Sequence, residues 1–369
     1  MHAHRWGKLV NFFTSNSENH RRYVLGLMFL ALIPAFGLFL LGIYLEPLYG
    51  DLTRIGLHSE REFGWSKPQL KFSKPLYTDA QYSRYHDVVV LGDSFSRVWP
   101  QHQWQNYLVS ATDWSVVTLD INTIKLEHVL QNRVFRETPP KIFVYESVER
   151  ELASRIIATQ PCIGSEIRQS LKQTYQHQFF HAGNLENTTR YVEREKNWSD
   201  VKLGFVLKYL WHGSWRSFLN EERTDTRKIA LSQVAPFSST NRQEMLVYKD
   251  DFKKISPLQQ PGEQEYDCRI ERMRQQVEAN GQTRFVLIVA PDKLTAYSDF
   301  ISDEKLRNVS KLNQFSERHK KVIPRIDLAL KLAIRNGEQD VYLPDDTHWG
   351  SSGQRIAAES FLDFLQSSE

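Results

Sequence analysis

The chain has 369 residues, a net charge of +3, and 41% apolar and 25% charged residues. That is enough for one large domain or two smaller ones with a full core. The nearly balanced charge argues against a nucleic-acid-binding face, and two cysteines without a CxxC or Cys/His cluster argue against structural zinc.

Residues 1–22 hold Arg5, Lys8, Arg21 and Arg22. They precede the uncharged run YVLGLMFLALIPAFGLFLLGIYL at 23–45. A helix of that length covers a hydrocarbon core of ~30 Å, and Pro34 is tolerated in a membrane helix. The basic residues before the run and Glu46 after it predict a single-pass anchor, with the N-terminus in the cytoplasm and the bulk of the chain outside. A cleaved signal peptide is the competing reading, but its apolar region would be shorter and followed by a small-x-small site. Outside the cytoplasm Cys162 and Cys268 are able to form a disulfide, two buried thiols being the alternative.

Residues 46–86 read as an irregular lead-in, and 87–366 as the folded domain. Five short apolar runs read as buried strands: DVVVLGD (87–93), WSVVTLDI (114–121), KIFVYES (141–147), RFVLIVAPD (284–292) and DVYLPDD (340–346). Helical patterns fall at 125–137, 271–281, 325–337 and 352–366, two of them closing on Gly281 and Gly337. The alternation predicts a doubly wound, five-stranded parallel α/β sheet of flavodoxin-like type. Residues from about 160 to 268 interrupt it as a long insertion, rich in Gln, Asn, Arg and aromatics, with a helix around 200–222.

Ligands of such sheets bind beyond the carboxyl ends of the strands. There the sequence places Ser94, then Asp292 and Lys293, then Asp345, Asp346 and His348. A serine hydroxyl needs a base, usually His, and an acid to orient it. A serine opening a helix is exposed, and its own N–H faces a developing oxyanion. GDS alone reads more readily as a helix N-cap than as a nucleophile, and DTH alone as a turn followed by a helix cap. Together, each at a strand end, they read as Ser94 nucleophile with His348 base.

GDSFS (92–96) with DDTHWG (345–350) resembles the GDSL/SGNH hydrolase superfamily, and more closely its periplasmic polysaccharide O-acetyltransferase branch of the alginate type. DDTHWG is similar to that branch's D-x-H-W motif, APDKLTAY (290–297) to its P-x-K-x-x-x-Y segment, and YESVERELASR (145–155) to its acidic-plus-Arg stretch. The resemblance covers residues 87–159 and 284–366 and leaves out the insertion. It implies Ser94 as acetyl-accepting nucleophile, His348 as base and Asp346 as orienting acid. The spacing of ordinary SGNH hydrolases would select Asp345 instead. Here the D-x-H-W segment follows the serine motif, whereas in the alginate proteins it precedes it. No glycine occurs from 93 to 163, so the superfamily's oxyanion glycine is missing. Asn122 and the Ser94 N–H are the candidate oxyanion donors, with Tyr145 a further contact. Lys293 would either bind an anionic sugar or cap a helix, and Glu146, Glu149 and Arg150 would form a structural ion-pair cluster.

The resulting expectation is an inner-membrane-anchored periplasmic serine O-acetyltransferase acting on a cell-surface or exported polysaccharide, without metal or soluble cofactor. The resemblance implies a multi-pass membrane O-acyltransferase as acetyl donor. An acetyl esterase with the same triad is the first alternative. A non-catalytic glycan-binding or assembly protein is the second.

Overall fold

Among the described residues there are nine strands: β1 (Gln69–Phe72), β2 (Thr78–Asp79), β3 (Val88–Gly92), β4 (Val116–Asp120), β5 (Ile142–Val148), β6 (Thr189–Val192), β7 (Thr226–Ala230), β8 (Glu244–Tyr248) and β9 (Arg284–Ala290). The computed structural model describes residues 17–79, 81–161, 188–219, 224–232, 236–253 and 263–367. It divides into two units, one of residues 1–48 with 196–221 and one of 49–195 with 222–369.

The second unit is built on a five-stranded sheet in the order β2-β4-β3-β5-β9, every neighbouring pair parallel. Its central strands are buried throughout and mostly apolar because both faces are covered, as parallel sheets require. Side chains alternate between two cores. Val88, Val90, Val144 and Ile288 meet one layer containing helices Trp104–Thr112, Ile326–Arg335 and Ser351–Ser367. Val89, Leu91, Phe143 and Leu287 meet the other, containing Glu149–Ile157 and Glu263–Glu278. The chain leaves β3 for β4 on one side and returns to β5 on the other, so the strand order reverses at the carboxyl end of β3. Crevices open at such points, and Ser94 stands there.

Four of the five expected strands lie in this sheet; the segment 340–346 does not. Val341–Leu343 is only three residues long and folds back on its own return limb. The Leu343 N–H donates to His348 O (3.1 Å) and the Gly350 N–H to Val341 O (3.0 Å). Those groups are therefore unavailable to β9. The fifth strand is instead the two-residue β2 at the opposite edge. The helix expected at 125–137 is two, Leu126–Gln131 and Arg133–Glu137. Asn132 ends the first in extended conformation, and its side chain caps Val134 N–H of the second.

The lead-in is ordered. It supplies helices Asp51–Gly56 and Glu60–Phe63, and β1, which pairs antiparallel with β6. β7 and β8 form a further antiparallel pair. In the first unit, helix Ser17–Leu45 is long and apolar enough to cross a membrane, and helix Leu203–Leu219 accompanies it. The expected Cys162–Cys268 pairing falls on Cys162, which lies outside the described residues.

Asp93 joins the ends of β3 and β5. One carboxylate oxygen accepts the Phe95 N–H (2.9 Å); the other accepts the Val148 N–H (2.8 Å) and pairs with Arg155 (2.5 Å). Removing it strands a half-buried guanidinium and two N–H groups. Asp93→Ala is therefore expected to lower the unfolding free energy in urea by about 3 kcal/mol. A loss under about 1 kcal/mol would contradict this role.

Candidate active site

Ser94 opens a one-turn 3-10 helix, Ser94–Ser96, directly after β3. Its neighbours are immobilised. Phe95 is fully buried, and the Ser96 hydroxyl donates to Glu146 (3.0 Å) while accepting from the Trp104 indole (3.1 Å). Ser94 is half-buried, and among the described residues neither its hydroxyl nor its backbone N–H makes a hydrogen bond.

His348 lies on the loop after the doubled-back segment and is 5% exposed. Its Nδ1 bonds Asp346 Oδ1 at 2.6 Å, and the same oxygen accepts the His348 backbone N–H at 3.0 Å. That bond assigns the proton to Nδ1 and leaves Nε2 as the basic nitrogen. Nε2 is buried without a partner. The ring packs on Phe95, the residue following Ser94, at 5.0 Å between centroids, and edge-on to Trp99 at 5.9 Å. An unpaired Nε2 on a ring packed against the residue after a strand-end serine is an arrangement suited to proton transfer.

Asp346 takes the imidazole, and Asp345 faces elsewhere. Burial would raise the Asp346 carboxyl. The His348 imidazole, with N–H bonds from Asp51 (2.8 Å) and His348, outweighs it and holds the group down to about 2. Asp345 is turned towards Glu60. Burial, then the Glu60 and Asp346 charges, raise its carboxyl well above the usual range. Glu60 accepts the N–H groups of Tyr49 (2.9 Å) and Gly50 (2.8 Å) and the Thr53 hydroxyl, and it pairs with Arg194 (3.0 Å). The Asp345 carbonyl accepts the Leu52 N–H at 2.9 Å. A Cβ on Gly50 would stand 2.2 Å from that carbonyl oxygen, so only glycine permits the approach. These bonds set the turn that delivers the Asp51 N–H to Asp346.

Lys293 has neither of its expected roles. It is 1% exposed, and its three donors are spent on the carbonyls of Leu343 (2.8 Å), Pro344 (2.9 Å) and Asp346 (3.1 Å). It pins the His348 loop from beneath, and burial lowers its ammonium to about 7 against the opposing pull of Asp345 and Asp346. Tyr145 is 4% exposed in the core with Leu91 and Leu152 and is not a surface contact. Asn122 is exposed beyond β4, its backbone N–H and Nδ2 both donating to Asp120 Oδ1 (2.9 and 3.1 Å). Arg150 pairs with Asp292 (2.6 Å), whose N–H donates to Glu149 (2.9 Å). Glu146 stands apart from that pair, accepting the Asp93 N–H (2.8 Å).

Residues the sequence reading passed over complete the site: Asp51, Glu60, Arg194, and an aromatic wall of Tyr49 stacked on Trp99 at 6.1 Å. Trp99 holds the left-handed backbone (φ 54°), an uncommon state for a bulky residue that is met at functional sites. Among the described residues, Asp51, Asp346 and His348 are also the one group close enough to ligate a metal, with ligand atoms within 4.8 Å. Both Asp346 oxygens already accept N–H bonds and Asp51 pairs with Arg54 (2.5 Å), which suits an acid–base pair better than an ion cage.

Two outcomes follow. Lys293→Met strands three carbonyls and is expected to cost about 3 kcal/mol in chemical denaturation; a variant as stable as the parent would refute the pinning role. Asp345 has a raised native pKa, so the native state holds a proton that the unfolded chain releases above about pH 4. Its contribution is full below that pH and is lost as pH rises through the raised native value. Asp345→Asn should flatten the fall of unfolding free energy as pH rises above about 4. An unchanged slope would contradict the assignment.

Residues 246–368 match the family model of the SGNH hydrolase-like domain of the acetyltransferase AlgX. The match includes Lys293, Asp346 and His348, while β3 and Ser94 lie before it. No curated protein and no solved structure matches the chain. Residues 246–368 are thus similar to the SGNH hydrolase-like domain of an alginate-type acetyltransferase, and the parallel sheet agrees with that likeness.

Proposed function

We propose that this protein is a membrane-anchored, extracytoplasmic serine O-acetyltransferase that acetylates a cell-surface or exported polysaccharide through an acetyl-Ser94 intermediate. The family match supports an enzyme of the acetyltransferase or esterase type. The observation that carries the finer reading is His348, with Nδ1 held by Asp346 and Nε2 buried and unpaired against the Ser94 turn.

His348 Nε2 takes the Ser94 hydroxyl proton as Oγ attacks the acetyl carbonyl carbon. The tetrahedral oxyanion accepts from the free Ser94 N–H at the start of its turn. Collapse breaks the bond to the donor oxygen, which takes the proton from His348, and leaves acetyl-Ser94. His348 then deprotonates a sugar hydroxyl, whose oxygen attacks the acetyl carbon, and the bond to Ser94 Oγ breaks as Oγ takes that proton back from His348. Asp346 orients the ring and stabilises the imidazolium. The donor reaches the site through a multi-pass membrane O-acyltransferase. The helix Ser17–Leu45 anchors the chain, and its apolar length supports this over a removed signal.

The test offers the protein an activated acetyl ester with and without surface oligosaccharide and follows acetate on the sugar by mass spectrometry. Sugar acetylation is expected, falling about 10³-fold or more in Ser94→Ala and His348→Ala, and about 10³- to 10⁴-fold in Asp346→Asn. Free acetate released regardless of sugar would make the protein an esterase. Turnover unaffected by Ser94→Ala would refute the mechanism.

A further inference from the structure

The first unit pairs the apolar helix Ser17–Leu45 with helix Leu203–Leu219, and the contact lies at the last turn of the apolar run. Gly42 and Val206 are buried there, and a Cβ on Gly42 would stand 2.5 Å from Val201 Cγ1 and 3.2 Å from Val206 Cγ2. Lys196 pairs with Glu46 (2.8 Å) just beyond the run's end. Gly42 is three residues from Leu45, or ~4.5 Å along a helix axis. If Ser17–Leu45 spans a bilayer, Val201 and Val206 sit at the boundary between hydrocarbon and headgroups.

Beside that contact, helix Leu203–Leu219 turns Leu203, Leu207, Leu210 and Trp211 outwards. The spacing of four, three and one places them on one face. Leu207 is 54% and Trp211 65% exposed, and Trp198, on the preceding turn, is 52% exposed. Lys202 and Lys208 are exposed off this face. A Leu/Trp face flanked by lysines is the composition of helices lying in a membrane interface.

We propose that helix Leu203–Leu219 is a second membrane-contacting element, lying in the interface of the leaflet reached by the carboxyl end of Ser17–Leu45, with its Leu203, Leu207, Leu210 and Trp211 face in lipid. The proposal rests on the anchor reading of Ser17–Leu45. Anchored at two places on one packed unit, the chain loses the free swivel that a single span allows.

The experiment uses the full chain in nanodiscs of phosphatidylcholine and phosphatidylglycerol, with nitroxides on Leu207→Cys, Leu210→Cys, Leu32→Cys and the exposed Lys305→Cys. Among the described residues no cysteine is free to compete for label. Collisions with oxygen, enriched in lipid, and with a water-soluble nickel chelate are compared. Labels at 207 and 210 are expected to show an oxygen-to-nickel ratio several-fold above that at 305 and below that at 32. In Gly42→Leu, which displaces Val201, the ratio at 207 should fall towards that at 305. Nickel accessibility at 207 and 210 equal to that at 305, with 32 still in lipid, overturns the proposal and leaves the anchor standing. Shielding of 207 and 210 from both reagents also overturns it, showing a protein covering that face. Nickel access at 32 refutes the anchor reading, and the proposal falls with it.

Discussion

The bond between Asp346 and the His348 Nδ1 sets the demands that the surrounding structure meets. A carboxylate this deeply buried needs its second oxygen satisfied, and the Asp51 N–H does that. Asp51 is in place because Glu60 collects the N–H groups of Tyr49 and Gly50, and because the Asp345 carbonyl receives Leu52. The loop carrying Asp346 and His348 is closed by its own bonds, and Lys293 adds to them by holding three of its carbonyls. One imidazole orientation thus draws on segments 49–60, 293 and 343–348.

The sheet makes that arrangement meaningful. The family match covers the Asp346–His348 loop and stops short of Ser94. The parallel sheet sets Ser94 at the carboxyl end of β3, and the His348 ring packs on Phe95, the next residue. Asp93 and Glu146 then hold the ends of β3 and β5 together beneath the serine. The Ser94 turn keeps its place while its hydroxyl and N–H make no hydrogen bond among the described residues.

What the sequence revealed followed from local pattern. β3, β4, β5 and β9 are apolar runs with turn residues behind them, and Ser94 stands at the visible end of one of them. The 340–346 segment misled because VYL has strand composition, whereas its fate depended on hydrogen bonds to the limb 348–350. Lys293 misled because a lysine after a strand looks exposed; only tertiary packing shows three carbonyls converging on it. Glu60 and Arg194 left no local signal, since their partners are 285 and 134 positions away, in Asp345 and Glu60 respectively. The choice between Asp345 and Asp346 was open from spacing alone. Rotating the loop by one residue exchanges their roles, and the Asp51 N–H marks which one received the imidazole.

The most direct test of the central claim is to identify the acylated atom. The intact protein, quenched soon after mixing with 4-nitrophenyl acetate and without acceptor, is digested and its peptides mapped by mass. The account predicts one acetyl group, on Ser94, absent when His348 is replaced by Ala and discharged when oligosaccharide is added before the quench. Turnover of the ester with Ser94 unmodified, or with the acetyl group on another side chain, would contradict it.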